Sequence, residues 1–333
     1  MHDHAEAATG NQYFPAEIFR GFNAGKIKFI GDAVETGCKS KIVILSHINL
    51  LSAGWLIKQI CPSTQVVLMA HGIEIWEPLN QRKRMMLHAC DKIISVSSYT
   101  NEKIKKLHNL PEEKCSVINN CIDPFLTRPV IKERSEKLTS RFGITNDDII
   151  LLTLTRLSQK ERTKGYDCVI EAIAEAGNKK LKYILAGRYE EAEASYLKKI
   201  AKQLGLADRL ILAGFVPEEE LNEYFSVADI YVMPSEKEGF GIVFLEAMFY
   251  GLPVIAGNAD GSSDALLQGR LGLLIPPKKP SAIVDALQKI SENRSKYLPD
   301  QQLLKENFSY ETYKRKFEKL LNYKMNPQRL QQV

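Results

Sequence analysis

The stretch Glu238–Asn258, EGFGIVFLEAMFYGLPVIAGN, decides the reading of this chain. It predicts a tight glycine loop, a helix over Gly241–Tyr250, a glycine stop at Gly251 and a following strand. The segment IVFLEAMFY is apolar almost all round, which argues for burial. It nevertheless carries one acid, Glu246. A buried carboxylate without donors costs several kcal/mol, so something must donate to it. A second acid, Glu238, precedes the glycines, and the helix N-terminus falls between the two carboxylates. Unpaired N–H groups and the helix dipole draw anions to such an end. A ligand with an anionic middle and hydroxyl-rich ends suits this pattern. A sugar nucleotide is such a ligand: diphosphate at the N-terminus, ribose diol on one carboxylate, sugar hydroxyls on the other.

Alternation of strand and helix runs through the rest of the chain. Strands are expected at Lys41–Ser46, Gln65–Met69, Lys92–Val96 and Cys115–Ile118, then at Ile149–Thr155, Leu181–Ala186, Arg209–Ala213, Asp229–Met233, Pro253–Ala256 and Leu271–Ile275. Helices are expected between them, at Leu50–Ile60, Leu79–Cys90, Tyr99–His108, Gly165–Ala176, Glu191–Leu204, Pro217–Val227 and Ser281–Ser291. This order implies parallel sheets covered by helices on both faces. The polar run Pro124–Ser140 separates the two sets and reads as a linker. The expected division is an N-terminal domain over residues 1–125 and a C-terminal domain over 126–307. An amphipathic helix over 308–323 is expected to pack back on the first.

Composition limits the function classes. The chain has 333 residues, a size for about two domains. Hydrophobic content of 44% and charged content of 26% are ordinary for a globular protein. No apolar run reaches the roughly 18 residues that span a bilayer, and the first residues lack a secretory pattern. A cytoplasmic setting is expected. The six cysteines, at 38, 61, 90, 115, 121 and 168, form no CxxC pair and read as free thiols. His2 and His4 do not make a metal site. The net charge of +5 gathers partly in Arg82-Lys83-Arg84 and in Lys103, Lys105 and Lys106. These read as solvated helix faces or as a peripheral contact with an anionic membrane. Nucleic-acid signatures are absent from the sequence.

EGFGIVFLE matches the Glu-x7-Glu signature of the retaining glycosyltransferases of family four, and the chain resembles them beyond this motif. LTLTRLSQKERTKGYDCVIEAI (Leu152–Ile173) resembles the strand–Arg–loop–Lys-Gly–helix element of that family. AGFVPEEELNEYFSVADIYVMPSEKEGFG (Ala213–Gly241) resembles the segment leading into the signature. SVSSYTNEKIKKL and VINNCIDP resemble the end of the N-terminal domain. The resemblance implies an α/β GT-B fold of two Rossmann-like parallel-sheet domains facing across a cleft. It also implies transfer of a sugar from a nucleotide-diphospho-sugar to an acceptor hydroxyl, without a metal or other cofactor. A saccharide or lipid-linked saccharide would accept it, in a setting such as polysaccharide or lipopolysaccharide assembly. Nothing before Lys41 reads as the opening strand and glycine-rich loop of the family. The N-terminal domain therefore reads as incomplete, which leaves a catalytically impaired nucleotide-sugar binder as an alternative. A sugar-nucleotide 2-epimerase is another.

The resemblance also assigns residues. Arg156 and Lys164 would neutralise the diphosphate, at the carboxyl end of their domain's first strand, where open α/β sheets bind ligands. The SQKERT insertion between them leaves Lys160 or Arg162 able to share that role. Glu238 would contact the donor sugar, with Gly239, Phe240 and Gly241 giving close backbone approach. Glu246 would take the ribose, the structural alternative being a salt bridge to a buried Arg. Val216, in the loop Gly214–Pro217, would lie near the base. His71, at a strand end, would face the sugar and phosphate, with Glu74 and His47 as weaker acceptor-side candidates. An oxidoreductase is excluded because no GxGxxG follows a first strand.

Overall fold

In the computed structural model the described residues are 12–127 and 134–322. They divide into two compact units. The first holds a four-stranded parallel sheet of β1 (Ile42–Leu45), β2 (Gln65–Ala70), β3 (Lys92–Ser95) and β4 (Cys115–Val117), in the order β1-β2-β3-β4. The helices Leu51–Ile60, Gln81–His88 and Ser98–His108 connect these strands. β2 is a near-continuous apolar run, as a strand covered on both faces must be. The chain from Lys314 to Leu321, the end of the helix Tyr310–Leu321, clusters with this unit. There Phe317 and Leu321 line a pocket with Ile42 and Ile44 of β1.

The second unit holds six parallel strands: β5 (Ile149–Leu154), β6 (Leu181–Ala186), β7 (Leu210–Gly214), β8 (Ile230–Met233), β9 (Val254–Gly257) and β10 (Leu273–Ile275). Their order is β10-β9-β8-β5-β6-β7. The chain starts in the middle at β5, winds outward through β6 and β7, then returns to the other side of β5. Strand order therefore reverses between β5 and β8, whose ladder pairs Leu151 with Ile230 and Leu152 with Tyr231. Successive side chains alternate between the two faces. Ile150, Leu152, Ile184, Tyr231 and Ala256 enter the apolar cluster that contains the helix Ile242–Phe249. Leu151, Tyr183, Leu185, Val232 and Ile255 enter the opposite one, under the helices Tyr166–Ala176 and Pro280–Glu292.

The expected strands all form, with ends moved by a residue or two. Three segments differ from the expectation. The linker read over Pro124–Ser140 ends in a helix, Glu136–Phe142. Ser135 caps it by accepting from the Leu138 N–H, Gly143 closes it in the left-handed conformation, and Leu138 is fully buried. Residues 128–133 of that linker lie outside the described residues, as do His2 and His4. The helix Lys26–Cys38, not anticipated, buries only Gly37 completely. The helix Gln301–Phe308, also not anticipated, is capped by Asp300 and buries Leu304 and Phe308.

Gly187 ends β6 at φ +139°, and a Cβ there would lie 1.9 Å from the Thr155 carbonyl oxygen. Only glycine allows the chains leaving β5 and β6 to approach this closely. Gly187→Ala is expected to destabilise the second unit by roughly 1–3 kcal/mol. Urea unfolding checks this, and an unchanged midpoint would contradict it.

Candidate functional site

The loops leaving β5 and β8 separate at the point of reversal, which is where such sheets open a ligand crevice. Here the two loops are also tied to each other. The Glu236 N–H donates to the Thr163 carbonyl at 2.8 Å. Gly165, at φ +77°, lies so close to Pro234 that a Cβ would meet the Pro234 carbonyl oxygen at 2.6 Å. This contact brings Lys164 to Glu238. The Lys164 ammonium donates to Glu238 Oε2 at 2.6 Å and to the Lys237 carbonyl at 3.3 Å. Both side chains are largely buried. Glu238 Oε1 accepts from the Gly239 N–H at 3.1 Å.

Gly241 follows at φ +86°, and the helix Ile242–Phe249 begins there without a side-chain cap. Its first N–H groups are therefore available to an anion. The Phe240 side chain points away into the core, edge-to-face with Phe308 at 5.8 Å between centroids. What Phe240 offers the loop is its backbone.

Glu246 sits one turn into the helix and is half-buried. Among the described residues no hydrogen bond or ion pair reaches its carboxylate, and the buried arginine considered above is not there. Burial, with smaller contributions from Asp123 and Glu218, pushes its pKa up to about 7. Among the described residues, the site thus holds one carboxylate matched to a cation and one with no partner.

The other expected residues are distributed as follows. The Arg156 side chain is 81% exposed and bonds Glu161 at 2.9 Å. Lys160 is exposed. Arg162 is committed elsewhere. It makes a bidentate contact with Glu193 and lies 3.5 Å from the centroid of the Tyr196 ring, so it is not available for a ligand. Val216 is partly buried against the core, two residues before Glu218. In the first unit, His71 follows β2 and is exposed. Its Nε2 lies 2.8 Å from the Ser46 carbonyl, which can only accept, so Nε2 carries the hydrogen. Glu74 accepts from the His71 N–H at 2.6 Å, and His47 accepts from the Asn49 N–H. Both therefore shape loops.

Two groups escaped the sequence reading. The segment after β9 clamps the signature loop. The Gly261 N–H donates to the Glu238 carbonyl at 2.8 Å, and a Cβ on Gly261 would meet the Gly239 oxygen at 2.0 Å. Asp260, 2% exposed, fixes this clamp by accepting from the Ser235 hydroxyl at 2.7 Å and the Ser262 N–H at 2.9 Å. Burial raises its pKa to about 6, against the lowering effect of those hydrogen bonds. The only sequence signal was the glycine pair Gly257 and Gly261 around an acid. The second group is Arg188, after β6, whose guanidinium lies 4.5 Å from the centroid of Phe215, after β7. Phe215 is 59% exposed. No periodicity announces such a pair.

A separate cavity of about 580 Å³ opens at the amino ends of β5, β6 and β8, lined by Ile149, Leu181, Ile230 and Arg134. It is at the wrong edge of the sheet for the residues above. Among the described residues no group of three His, Cys, Asp or Glu could hold a metal ion. No helix among them is long and apolar enough to cross a membrane.

Residues 135–315, more than half of the chain, match the family described as glycosyl transferases group 1. The chain belongs to that family. Residues 21–125 match glycosyltransferase family 4. An uncharacterized glycosyltransferase of Methanocaldococcus jannaschii is 31% identical over 204 residues, 60% of this chain and 50% of that protein. The GDP-mannose-dependent alpha-(1-6)-phosphatidylinositol monomannoside mannosyltransferase of Mycobacterium tuberculosis is 27% identical over 249 residues, 70% of this chain and 62% of that protein. The chain thus spans about half to three-fifths of these curated relatives. Among solved structures, Anabaena HepE in complex with UDP and glucose aligns with a TM-score of 0.75 at 21% identity, over 90% of this chain and 83% of that one. A glycosyltransferase from Rickettsia africae aligns with a TM-score of 0.73 at 16% identity, over 92% and 85%. The fold of this group 1 glycosyltransferase chain is GT-B.

The raised pKa of Glu246 makes a stability prediction with a definite sign. The folded value, about 7, lies above the ordinary 4.5. Below about pH 4.5 both states are protonated and nothing is lost. As pH rises through the window from 4.5 to 7, the unfolded state ionises first and wild type loses stability. Glu246→Gln is expected to be more stable than wild type by on the order of 2–3 kcal/mol near pH 8. That advantage should shrink toward zero near pH 4. Urea unfolding at both pH values decides it: a pH-independent difference would rule out the titration.

Proposed function

We propose that this chain transfers a sugar, with retention at the anomeric carbon, from a nucleotide-diphospho-sugar to an acceptor hydroxyl. The observation that carries this reading is the pair of unlike carboxylates around one helix N-terminus. Glu238 is matched to Lys164, and Glu246 has no donor among the described residues. A ribose diol supplies two hydroxyl donors and would satisfy Glu246. The diphosphate would lie at the uncapped start of the helix Ile242–Phe249, against the backbone of Gly239, Phe240 and Gly241. Lys164, bonded to Glu238 just before that helix, would meet its charge. Arg156 reaches the diphosphate by leaving Glu161, an exposed pair that costs little to break, about 0–1 kcal/mol. Glu238 holds Lys164 and takes the sugar hydroxyls. On this reading Val216 would serve the base, and His71 keeps the sugar and phosphate role that the resemblance gives it.

In the reaction the bond from the anomeric carbon to the diphosphate oxygen breaks. A bond to the acceptor oxygen forms, and the acceptor's proton leaves with the diphosphate. Charge builds on the leaving group, and pre-placed cations and N–H groups stabilise it. Lys164, Arg156 and the helix end supply that stabilisation without a metal. A saccharide acceptor linked to lipid fits the basic start of the helix Gln81–His88. There Arg82 and Arg84 are exposed and Met85 is half exposed. Of the second basic cluster, Lys105 is spent on Glu102 and Glu112. The mannosyltransferase relative, whose name specifies a phosphatidylinositol-linked acceptor, supports the same setting.

The test is turnover of UDP-, GDP- and ADP-sugars with saccharide acceptors, the product's anomeric configuration being read by NMR. A retained configuration is expected, with Lys164→Ala lowering kcat about 10²–10³-fold. The double change Lys164→Ala with Glu238→Ala avoids stranding a buried charge and controls for folding. An inverted product, or a folded Lys164→Ala protein with full kcat, would overturn the reading.

A further inference from the structure

Glu193 lies in the first turn of the helix Glu191–Gln203, and its side chain is 2% exposed. A carboxylate this deep is costly unless it is matched. Here both oxygens are matched. Oε1 accepts from Arg162 Nε at 2.9 Å and from the Tyr166 hydroxyl at 2.9 Å, and Oε2 accepts from Arg162 Nη2 at 2.7 Å. The Tyr166 hydroxyl also lies 2.8 Å from the Ser158 carbonyl, so two acceptors at one corner share its single hydrogen. Tyr196 follows Glu193 by three residues on the same helix face, and its ring centroid is 3.5 Å from the Arg162 guanidinium. Arg162 is thus gripped by a carboxylate fork and by a ring.

The grip acts on the segment Gln159–Lys164, six residues of 3₁₀ helix that Ser158 precedes without a side-chain cap. Runs of 3₁₀ helix this long are uncommon, because their hydrogen bonds are poorly aligned, so the segment needs support from outside itself. Its far end is tied to the loop after β8, through the Thr163 carbonyl and through Lys164. Its start and middle are tied to the helix Glu191–Gln203, through Ser158 and Arg162. Both cations assigned to the diphosphate border it. Arg156 precedes it and bonds Glu161 within it, and Lys164 is its last residue.

We propose, resting on the sugar-transfer reading of Lys164, that Glu193 is a positioning residue for that reaction. It acts through Arg162 and Tyr166 to hold the segment Gln159–Lys164, and with it the Lys164 ammonium. Glu193 itself touches no substrate. A cation on a held backbone stabilises the departing charge without having to be ordered as that charge appears. A cation on a loosened segment pays for its ordering in the transition state. The loss therefore falls on kcat more than on the donor KM.

Two measurements on the full chain separate positioning from mere support. The first is turnover of the UDP-, GDP- or ADP-sugar that reacts, for Glu193→Gln, Lys164→Ala and the two combined. Glu193→Gln should lower kcat about 10–100-fold and change the donor KM by less than about threefold. It should cost little more once Lys164 is already alanine, because the two residues act through one group. Losses that multiply in the double variant, or a Glu193→Gln chain with full kcat, overturn the proposal. A Lys164→Ala chain with full kcat instead overturns the sugar-transfer reading. The second measurement needs no turnover. The Lys164 ammonium signal of the nitrogen-labelled chain is assigned by its loss in Lys164→Ala. A held ammonium exchanges its hydrogens slowly and gives a resolved signal, which Glu193→Gln should broaden or abolish. An unchanged signal overturns the proposal, and in a chain that turns over no donor this signal alone decides whether Glu193 fixes Lys164. Where Glu193→Gln does not fold, Arg162→Lys takes its place in both measurements, since it keeps a cation beside the buried carboxylate and lacks the fork.

Discussion

The reversal of strand order between β5 and β8 governs the site in the second unit. A parallel sheet wound in one direction would cover both carboxyl ends with successive loops. Winding outward from β5 in both directions leaves the loops after β5 and β8 without a crossover between them. Their backbones meet through the Glu236–Thr163 hydrogen bond and the close approach of Gly165 to Pro234. Those contacts place Lys164 against Glu238. The loop after β9 then presses on the signature loop from outside, through Gly261, with Asp260 holding its shape. Few side chains are involved, and two of the determinants, Gly165 and Gly261, are glycines whose missing Cβ atoms make the approach possible.

Within this frame, two carboxylates of the same chemical type have been given opposite environments. Glu238 is paired with Lys164 at 2.6 Å and accepts a backbone N–H as well. Glu246 is half-buried, near Asp123 and Glu218, and its pKa is pushed to about 7. Removing a carboxylate from water without a partner opposes folding, and the apolar helix around it supplies the compensating burial. A ligand bearing hydroxyl donors gains at Glu246 what the fold lost. A ligand without them gains nothing there. Specificity for a diol over an apolar isostere follows from that difference.

Much of this was legible in the sequence because it is periodic or chemically odd. The strand–helix alternation marked β5, β6 and β8 within a residue or two, since fully buried parallel strands read as apolar runs. Glu246 stood out because an acid has no place in IVFLEAMFY. The tertiary pairings were not legible. The Lys164–Glu238 contact joins residues 74 apart and depends on Gly165. Arg162 looked like a spare cation in SQKERT until Glu193 and Tyr196 were seen to hold it. The helix Glu136–Phe142 hid inside a polar run because its identity rests on a Ser135 cap and a single buried leucine. The helix Lys26–Cys38 buries only Gly37 completely and left a correspondingly faint pattern.

The central claim is that Glu246, a carboxylate with no partner among the described residues, is completed by a vicinal diol. Its titration, followed by carbon NMR of the labelled carboxyl, tests this most directly. The titration is run alone and then with saturating UDP, GDP or ADP and with their 2′-deoxy counterparts. The account predicts a value near 7 in the free chain and a fall toward the ordinary 4.5 with the ribonucleotide that binds, the deoxy form lowering it less. An ordinary value in the free chain, or a raised value unmoved by a ribonucleotide shown to be bound, would contradict it.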